Sequence, residues 1–400
     1  MKKIIFIHHG GKIGGAPVSM LDLASSLDKK IYKPLIIFSD SGPIVDLAKK
    51  QNLETRVLKF KSIFFYGRHV KLKFRMLFYY FFYYSTTVKL LTRLIQKEKP
   101  SLIYLNTSVL VTAAIAAKKN NIPLIWSVRE APGINKFIRK FQINKIEQLS
   151  DHIFTTSNYV KKYFNRSKNI TVLYNSIRIN DYSINHKAYR KKIRSELNIP
   201  NNSVVVTIIG SVQEVKGHFS LVKCAKNVLK LKSNVRFVIV AGSINNKYKN
   251  SLKGIVKRVL NIPYDNHDRM KKLIDDYKLR KYFIFTGYRT DIPQLLCSTD
   301  IVIFPSLLAE GFGRPLIEGM ASGVPVIASD VGPSKEILGE NAGIFIKPGS
   351  NSDLTEAISI LAKDSNKRKK LGKFGLDRVK NNFNFKNTSK MFVKIIDAYI

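Results

Sequence analysis

The chain has 400 residues, 45% hydrophobic, 11% aromatic and 24% charged, which is too long for one ordinary core and enough for two domains of roughly 150–200 residues; its apolar content excludes a mainly disordered or collagen-like protein. Lys and Arg number 68 against 28 Asp and Glu, a net charge of +40, which attracts polyanions (nucleic acid, an anionic membrane, phosphate-bearing molecules) without choosing among them. A mean hydropathy of −0.08 and the lack of an uncharged apolar run of about 18 residues speak against a classical membrane span, and Cys224 and Cys297, the two cysteines, are too few for a disulfide framework and suit a reducing cytosol.

In chain order, the first apolar run is Ile4–Ile7, which stops at His8-His9-Gly10. It is too short for the core of a signal peptide and is predicted as a strand. Lys33–Phe38, Leu102–Leu105, Leu124–Val128 and His152–Thr156 continue a first series of buried strands separated by helical stretches. A second series follows at Val204–Ile209, Val235–Ala241, Tyr282–Thr286, Ile301–Phe304, Val324–Ala328 and Ala342–Ile346. Alternation of this kind predicts α/β structure with helices on both faces of a parallel sheet, once per series. The polar stretch Asn180–Ser203, with Pro200, is expected to be a linker. The predicted organisation is an N-terminal domain over 1–180, a linker over 181–203, a C-terminal domain over 204–382, and a last helix over 383–400 that packs back on the N-terminal domain.

Between the second and third predicted strands of the first series lies an aromatic and basic stretch. From Arg56 to Lys99 there are eleven Lys or Arg and one acid, Glu98, around the run Phe78-Tyr79-Tyr80-Phe81-Phe82-Tyr83-Tyr84. In a helix, Val70, Phe74, Leu77, Phe81, Tyr84, Val88, Leu91 and Ile95 share one stripe, which suffices to pack on a sheet. Phe78, Tyr79, Tyr80, Phe82 and Tyr83 fall off that stripe beside Lys71, Lys73 and Arg75. Rings next to cations are what an anionic membrane surface recruits, although aromatic runs also serve as core.

The densest chemistry follows the strand Ile301–Phe304: Ser306-Leu-Leu-Ala-Glu310-Gly311-Phe312-Gly313-Arg314, then a helix with Pro315 at its start, where a missing N–H costs nothing. Glycines admit a ligand to the backbone, and the helix N-terminus offers free N–H groups and positive dipole, an arrangement suited to a phosphate. Glu310 and Glu318 bracket it. Carboxylates cannot bind phosphate but can accept hydrogen bonds from sugar or ribose hydroxyls, so the pair points to a nucleotide diphosphate carrying a sugar. Singly, each has a plainer reading as a solvated loop acid or a helix N-terminal acid. His8 and His9 are expected to be sheet-end residues, since no ligand cluster with metal spacing accompanies them.

Glu310 and Glu318 form an E-x7-E pattern, and EGFGRPLIEGMASGVPVIAS around them resembles glycosyltransferase family 4. Further matches run along most of the chain: Gly14-Gly15 after the first strand, Gly210–Gly217 (GSVQEVKG) after the first strand of the second series, Leu173–Ile177 (LYNSI), and Thr286-Gly287-Tyr288. The resemblance implies the GT-B architecture, two Rossmann-like doubly wound domains facing across a cleft, and a retaining, metal-independent hexosyl- or N-acetylhexosaminyltransferase. In that reading Glu318 binds ribose, Lys216 neutralises the diphosphate, Glu310 with Gly311, Phe312 and Gly313 holds the transferred sugar, and Arg314, Pro315 and Leu316 form the phosphate-facing helix start. Tyr288 lies at the base, Gly14 and Gly15 beside diphosphate and acceptor. The family's arginine ahead of the phosphate lysine is Ser211 here, and Arg129 stands where many relatives have a histidine, leaving Glu130 for the acceptor. Lys216, Glu310, Arg129 and Glu130 are the expected catalytic set; Gly14-Gly15 as a tight turn and Arg129–Glu130 as a strand-end ion pair are the plainer alternatives.

No Asp-x-Asp pair occurs in the sequence, so charge on the leaving diphosphate falls to Lys216 and backbone amides. The implied activity moves sugar from a UDP- or GDP-linked donor to a lipid-linked glycan, such as a polyprenyl-diphosphate acceptor, in bacterial surface polysaccharide synthesis. It places the protein in the cytoplasm, peripheral on the inner face of the plasma membrane through residues 56–99, with no cofactor, no metal and no nucleic acid. A catalytically silent GT-B subunit that binds glycan or a partner glycosyltransferase is the alternative, suggested by Ser211 and Arg129; a nucleotide-sugar epimerase ranks behind both.

Overall fold

A computed structural model describes residues 1–62, 74–133, 135–164, 169–241 and 265–400, with backbone alone for 74–81. The chain forms two units, Met1–Ser176 with Phe385–Ile400, and Ile177–Asn384. The side chains of Phe78–Phe81, Lys71–Lys73 and Arg75 therefore lie outside the described residues.

Unit 1 holds a seven-stranded parallel sheet of β1 (Lys2–His8), β2 (Tyr32–Phe38), β3 (Glu54–Val57), β4 (Leu102–Asn106), β5 (Leu124–Val128), β6 (His152–Thr155) and β7 (Ile170–Val172), in the order β3-β2-β1-β4-β5-β6-β7. The central strands are unbroken apolar runs because both faces are covered. Alternate residues serve the two faces. Ile4, Phe6, Ile36, Phe38 and Tyr104 meet the helices Gly15–Ser25 and Pro43–Lys50 through Met20, Leu21, Ile44 and Val45. Ile5, Ile7, Ile103, Leu105 and Trp126 meet the helices Phe74–Glu98, Val111–Lys119 and Lys136–Leu149 through Leu91, Ile95, Ala113, Ala117 and Ile146. The final helix, Phe385–Asp397, completes the first face: its Phe392 ring lies 5.6 Å from Tyr104 and 6.0 Å from Phe154.

Unit 2 holds a six-stranded parallel sheet of β8 (Val204–Ile209), β9 (Val235–Val240), β10 (Phe283–Phe285), β11 (Ile301–Phe304), β12 (Val326–Ser329) and β13 (Gly343–Ile346), in the order β10-β9-β8-β11-β12-β13. Val206, Ile208, Phe237, Ile239 and Ile303 pack under the helices His218–Leu231, Asn266–Asp276 and Asn351–Lys363. On the helix Arg314–Ala321, Gly319 lets the backbone press onto the sheet: an added Cβ would stand 3.1 Å from both Val302 and Val326.

The structure differs from the sequence reading at two points and agrees with it at a third. The expected linker 181–203 is instead part of unit 2 and contains the helix His186–Glu196. Its charge is deceptive, because Ile193 and the guanidinium-bearing Arg194 are both 2% exposed. β3 and β7 escaped notice as edge strands: Glu54–Val57 is largely exposed and has one apolar residue, and β7 is three residues long. On Phe74–Glu98, Val88, Leu91 and Ile95 are buried, while Phe82 and Tyr83 are 66% and 43% exposed. Among the described residues no helix is long and apolar enough to cross a membrane.

Candidate active site

In each sheet the strand order reverses once, between β8 and β11 in unit 2 and between β1 and β4 in unit 1. Loops leaving the carboxyl ends at such a point diverge and open a crevice. Four of the expected site residues are in unit 1 and the rest in unit 2, where all but Tyr288, which follows the edge strand β10, lie on the loops and helix after β8 and β11.

In unit 2, β8 runs into Gly210 (φ +133°), a short 3-10 turn at Glu214–Lys216, and Gly217 at φ +76°. A Cβ on Gly217 would lie 2.1 Å from the Pro305 carbonyl oxygen, so only glycine allows this loop to touch the end of β11. The Leu307 N–H donates to the Val215 carbonyl at 2.8 Å and joins the two loops. This brings the Lys216 ammonium to 3.7 Å from Glu310 Oε1, with each side chain about 30% exposed. The buried Ser306 hydroxyl donates to the same Glu310 oxygen at 3.2 Å. Ser211, in the position that lacks the family's arginine, accepts from Gln213 Nε2 at 2.8 Å.

Gly313, at φ +94°, caps the helix Arg314–Ala321 with no side-chain oxygen, and Pro315 sits in its first turn. Phe312 and Leu316 are 3% and 0% exposed, core residues that can offer a ligand their backbone alone. Arg314 Nε donates to Glu318 Oε1 at 2.9 Å, so this guanidinium is engaged with the carboxylate expected to hold ribose. Tyr182, which the sequence did not single out, stands in the field of Glu318 and Arg314; burial first, then the Glu318 charge, holds its hydroxyl well above the usual tyrosine range. Tyr288 follows β10 and Gly287 (φ +73°) and is 54% exposed. Beneath the Lys216 loop His218 is fully buried, and neither ring nitrogen reaches hydrogen-bonding geometry.

In unit 1 the helix Gly15–Ser25 starts at Gly14, an extended cap with no side-chain acceptor. Asn106, at the end of β4, donates to the Ala16 carbonyl at 3.2 Å and accepts from Arg129 Nε at 3.0 Å. Arg129 Nη1 donates to Asn175 Oδ1 at 2.6 Å. Glu130 accepts from the Ser108 N–H at 3.0 Å. His8 and His9 sit on the same crevice, with His8 against Asn106 and His9 Nδ1 2.9 Å from Thr107 Oγ1. Thr107 itself is held at φ +106°, rare for a β-branched residue. Asn106 and Thr107 were missed because neutral side chains carry no charge pattern, and Asn175 stood within Leu173–Ile177 without a role. Among the described residues no group of three or more His, Cys, Asp or Glu could hold a metal ion.

Burial pushes His8 down to about 3 and His218 down to about 4. In the unfolded chain both take a proton near 6.5. Between those values the unfolded state binds more protons, so the stabilisation is complete above pH 6.5 and is lost as pH falls toward 4. Each histidine contributes a slope of at most about 1.4 kcal/mol per pH unit. Urea unfolding at pH 7, 6 and 5 is expected to show falling stability in both units; a flat profile would contradict neutral, buried imidazoles.

Comparisons with known proteins agree with this layout. Residues 189–378 match the family model described as glycosyl transferases group 1, and residues 13–181 match glycosyltransferase family 4. Spore coat protein SA of Bacillus subtilis is 24% identical over 52% of this chain and 52% of its own length. The UDP-Gal:alpha-D-GlcNAc-diphosphoundecaprenol alpha-1,3-galactosyltransferase of Escherichia coli is 25% identical over 60% of this chain and 56% of its own length. The chain thus spans little more than half the length of these curated relatives. Among solved structures, Anabaena HepE with UDP and glucose superposes with a TM-score of 0.82 at 21% identity, covering 99% of this chain and 100% of that one. Two parallel doubly wound units in this order, each matched by its own family model, place the chain in the GT-B glycosyltransferase superfamily that joins family-4 and group-1 domains.

Proposed function

We propose that the chain is a retaining glycosyltransferase that moves a hexosyl or N-acetylhexosaminyl group from a UDP- or GDP-linked donor to a lipid-linked glycan in surface-polysaccharide synthesis. The observation that carries this reading is the pair at the β8/β11 switch point, Lys216 Nζ and Glu310 Oε1 at 3.7 Å, beside an uncapped helix N-terminus. A cation and amide donors meet the leaving diphosphate; Glu310 and Glu318 accept from the flanking sugar and ribose hydroxyls. With no Asp-x-Asp pair in the sequence, charge neutralisation is assigned to Lys216 and the amides, and the departing phosphate takes the acceptor's proton on the face it leaves. Support for the donor and acceptor classes comes from the names of similar proteins, a UDP-galactose enzyme acting on a diphosphoundecaprenol sugar and a structure holding UDP and glucose.

Thermal-shift screening of the full chain against UDP-, GDP-, ADP- and CMP-sugars tests the reading. A UDP- or GDP-sugar should raise the melting point by mass action, and Glu310→Ala should weaken that rise; no response to any member would refute it. A bound donor with neither hydrolysis nor transfer would favour the silent-subunit alternative, for which Ser211 in place of a cation is the specific motive.

The acceptor reading adds contact with an anionic membrane through residues 56–99. Phe82 and Tyr83, both exposed, support it, and elsewhere in unit 1 the helix Lys136–Leu149 carries Phe137 and Phe141, 87% and 49% exposed, among Lys136, Arg139 and Lys140. Rings at headgroup depth with cations on anionic lipid give that preference. Wild type should sediment with vesicles containing anionic lipid and less with neutral ones, and a Lys/Arg-to-Gln variant of 56–99 should lose the difference. Equal partitioning of both proteins would remove the membrane from the account.

A further inference from the structure

We propose that the β1/β4 crevice of unit 1 is an oxyanion receptor, with the Arg129 guanidinium as its charged donor, and that it takes a phosphate or carboxylate carried by the acceptor. Naming the ligand as the acceptor rests on the transferase reading; the receptor rests on the residues.

Arg129 is 8% exposed, yet among the described residues no carboxylate lies within ion-pair distance of it. Its two bonded nitrogens meet amide oxygens, Asn106 Oδ1 and Asn175 Oδ1, which orient the guanidinium without neutralising it. The remaining nitrogen, Nη2, is buried and has no partner. A buried charge without compensation is strongly unfavourable, and an unsatisfied buried donor calls for an explanation in function or strain. Two acids stand on the same crevice without an ion pair to Arg129: Asp40, whose charge acts on His9, and Glu130, which accepts from the Ser108 N–H at 3.0 Å; His8 and His9 themselves are held neutral at physiological pH, pushed down to about 3 and about 4 by burial. Asn106 links the guanidinium to the first turn of the Gly15–Ser25 helix, whose N-terminus has no side-chain cap. One free guanidinium nitrogen beside a helix start is a pattern for an oxyanion. The receptor is closed in this structure.

The test follows melting of the full chain with inorganic pyrophosphate, with glucuronate, and with sodium chloride at matched ionic strength. It uses wild type, Lys216→Ala, Arg129→Gln and the double variant. Lys216→Ala removes the cation of the other switch point, so any response left in it reports unit 1. One of the two oxyanions should raise its melting point by about 5–10 °C at a hundredfold excess over Kd, and adding Arg129→Gln should abolish the rise. Pyrophosphate alone would assign a phosphate acceptor, glucuronate alone a carboxylate one. A rise that survives in the double variant, an equal rise with chloride, or no rise in Lys216→Ala overturns the proposal. Should Arg129→Gln fail to fold, phenylglyoxal labelling of wild-type Arg129, mapped by mass spectrometry, decides: the same oxyanion must slow it, and unchanged labelling overturns the receptor. Failure of every nucleotide sugar with this response intact would refute the transferase reading instead.

Discussion

Lys216→Ala is expected to lower kcat/KM for sugar transfer by about 10²–10³-fold, the loss typical of removing one preorganised donor aimed at developing charge. The side chain is about 30% exposed and its ammonium stands over Gly210, where a Cβ would come within 3.4 Å of Nζ. The loop that carries it is fixed by backbone, through the Val215 carbonyl to Leu307 and the left-handed Gly217. Removing the ammonium therefore leaves the loop in place, and the urea midpoint should stay near wild type while turnover falls. The ion pair with Glu310 is too exposed to contribute much to stability. Ser211 sharpens the expectation, because it supplies a hydroxyl where a second cation would share the load. Glu310→Gln should also reduce transfer, by a different route: it keeps the shape and the Ser306 contact but removes the negative acceptor for a sugar hydroxyl. Kinetics on both variants with a donor chosen by the thermal screen provide the check. Activity of Lys216→Ala close to wild type would remove the lysine from the mechanism.

Asp300→Ala should produce the largest loss of stability, about 3–5 kcal/mol, the usual result of leaving a buried charge without its counter-ion. Arg194 is 2% exposed, and its Nη2 donates to Asp300 Oδ2 at 2.8 Å. Carbonyls of Asn201, Ser203 and Ser298 take further bonds, at 2.8, 3.0 and 3.2 Å. Asp300 also accepts from the Val205 N–H at 2.8 Å and from Arg190 Nη2 at 2.8 Å, so it ties the helix His186–Glu196 to the start of β8. Burial already lowers the pKa of Arg194, and without Asp300 nothing of opposite sign offsets that cost. Urea unfolding of the full chain should show the transition of unit 2 moving to lower denaturant while that of unit 1 stays. A double replacement of Arg194 and Asp300 by apolar residues should recover much of the loss, since a well-packed apolar pair avoids the desolvation altogether.

The same pair explains one limit of reading this chain from sequence. The stretch 181–203 looked like a linker because charge density is a sound sign of solvent exposure, and Arg194 is an exception that only its partner, more than a hundred residues later, reveals. Central strands were legible because burial on both faces demands continuous apolar runs. Edge strands β3 and β7 face no such demand, and their sequences carry no such signal. At the candidate site, Glu310 and Glu318 stood out because glycines and charges cluster after a strand, Lys216 through the family resemblance of the Gly210–Gly217 segment, and the structure brings Lys216 and Glu310 within 3.7 Å. Arg314 was noticed as a cation, but its engagement with Glu318 is an i,i+4 geometry that composition does not rank above a phosphate contact. Arg129 was noticed for its position; its amide partners, Asn106 and Asn175, lie 23 and 46 residues away and could only be found in three dimensions.

The chain leaves unit 1 at Ser176, builds all of unit 2, and returns at Phe385, with the Ile177 N–H donating to the Phe383 carbonyl where the two passages run side by side. Phe392 and Ile396 close a face of the first sheet that Phe6, Tyr104 and Phe154 otherwise leave open. During synthesis the earlier-made sheet must therefore wait, partly uncovered, until residues 385–400 have been made, whereas the later-made unit is contiguous and can finish first. Loss of the helix Phe385–Asp397 would strike the earliest-made part of the molecule, and a chaperone following translation should dwell on the N-terminal half.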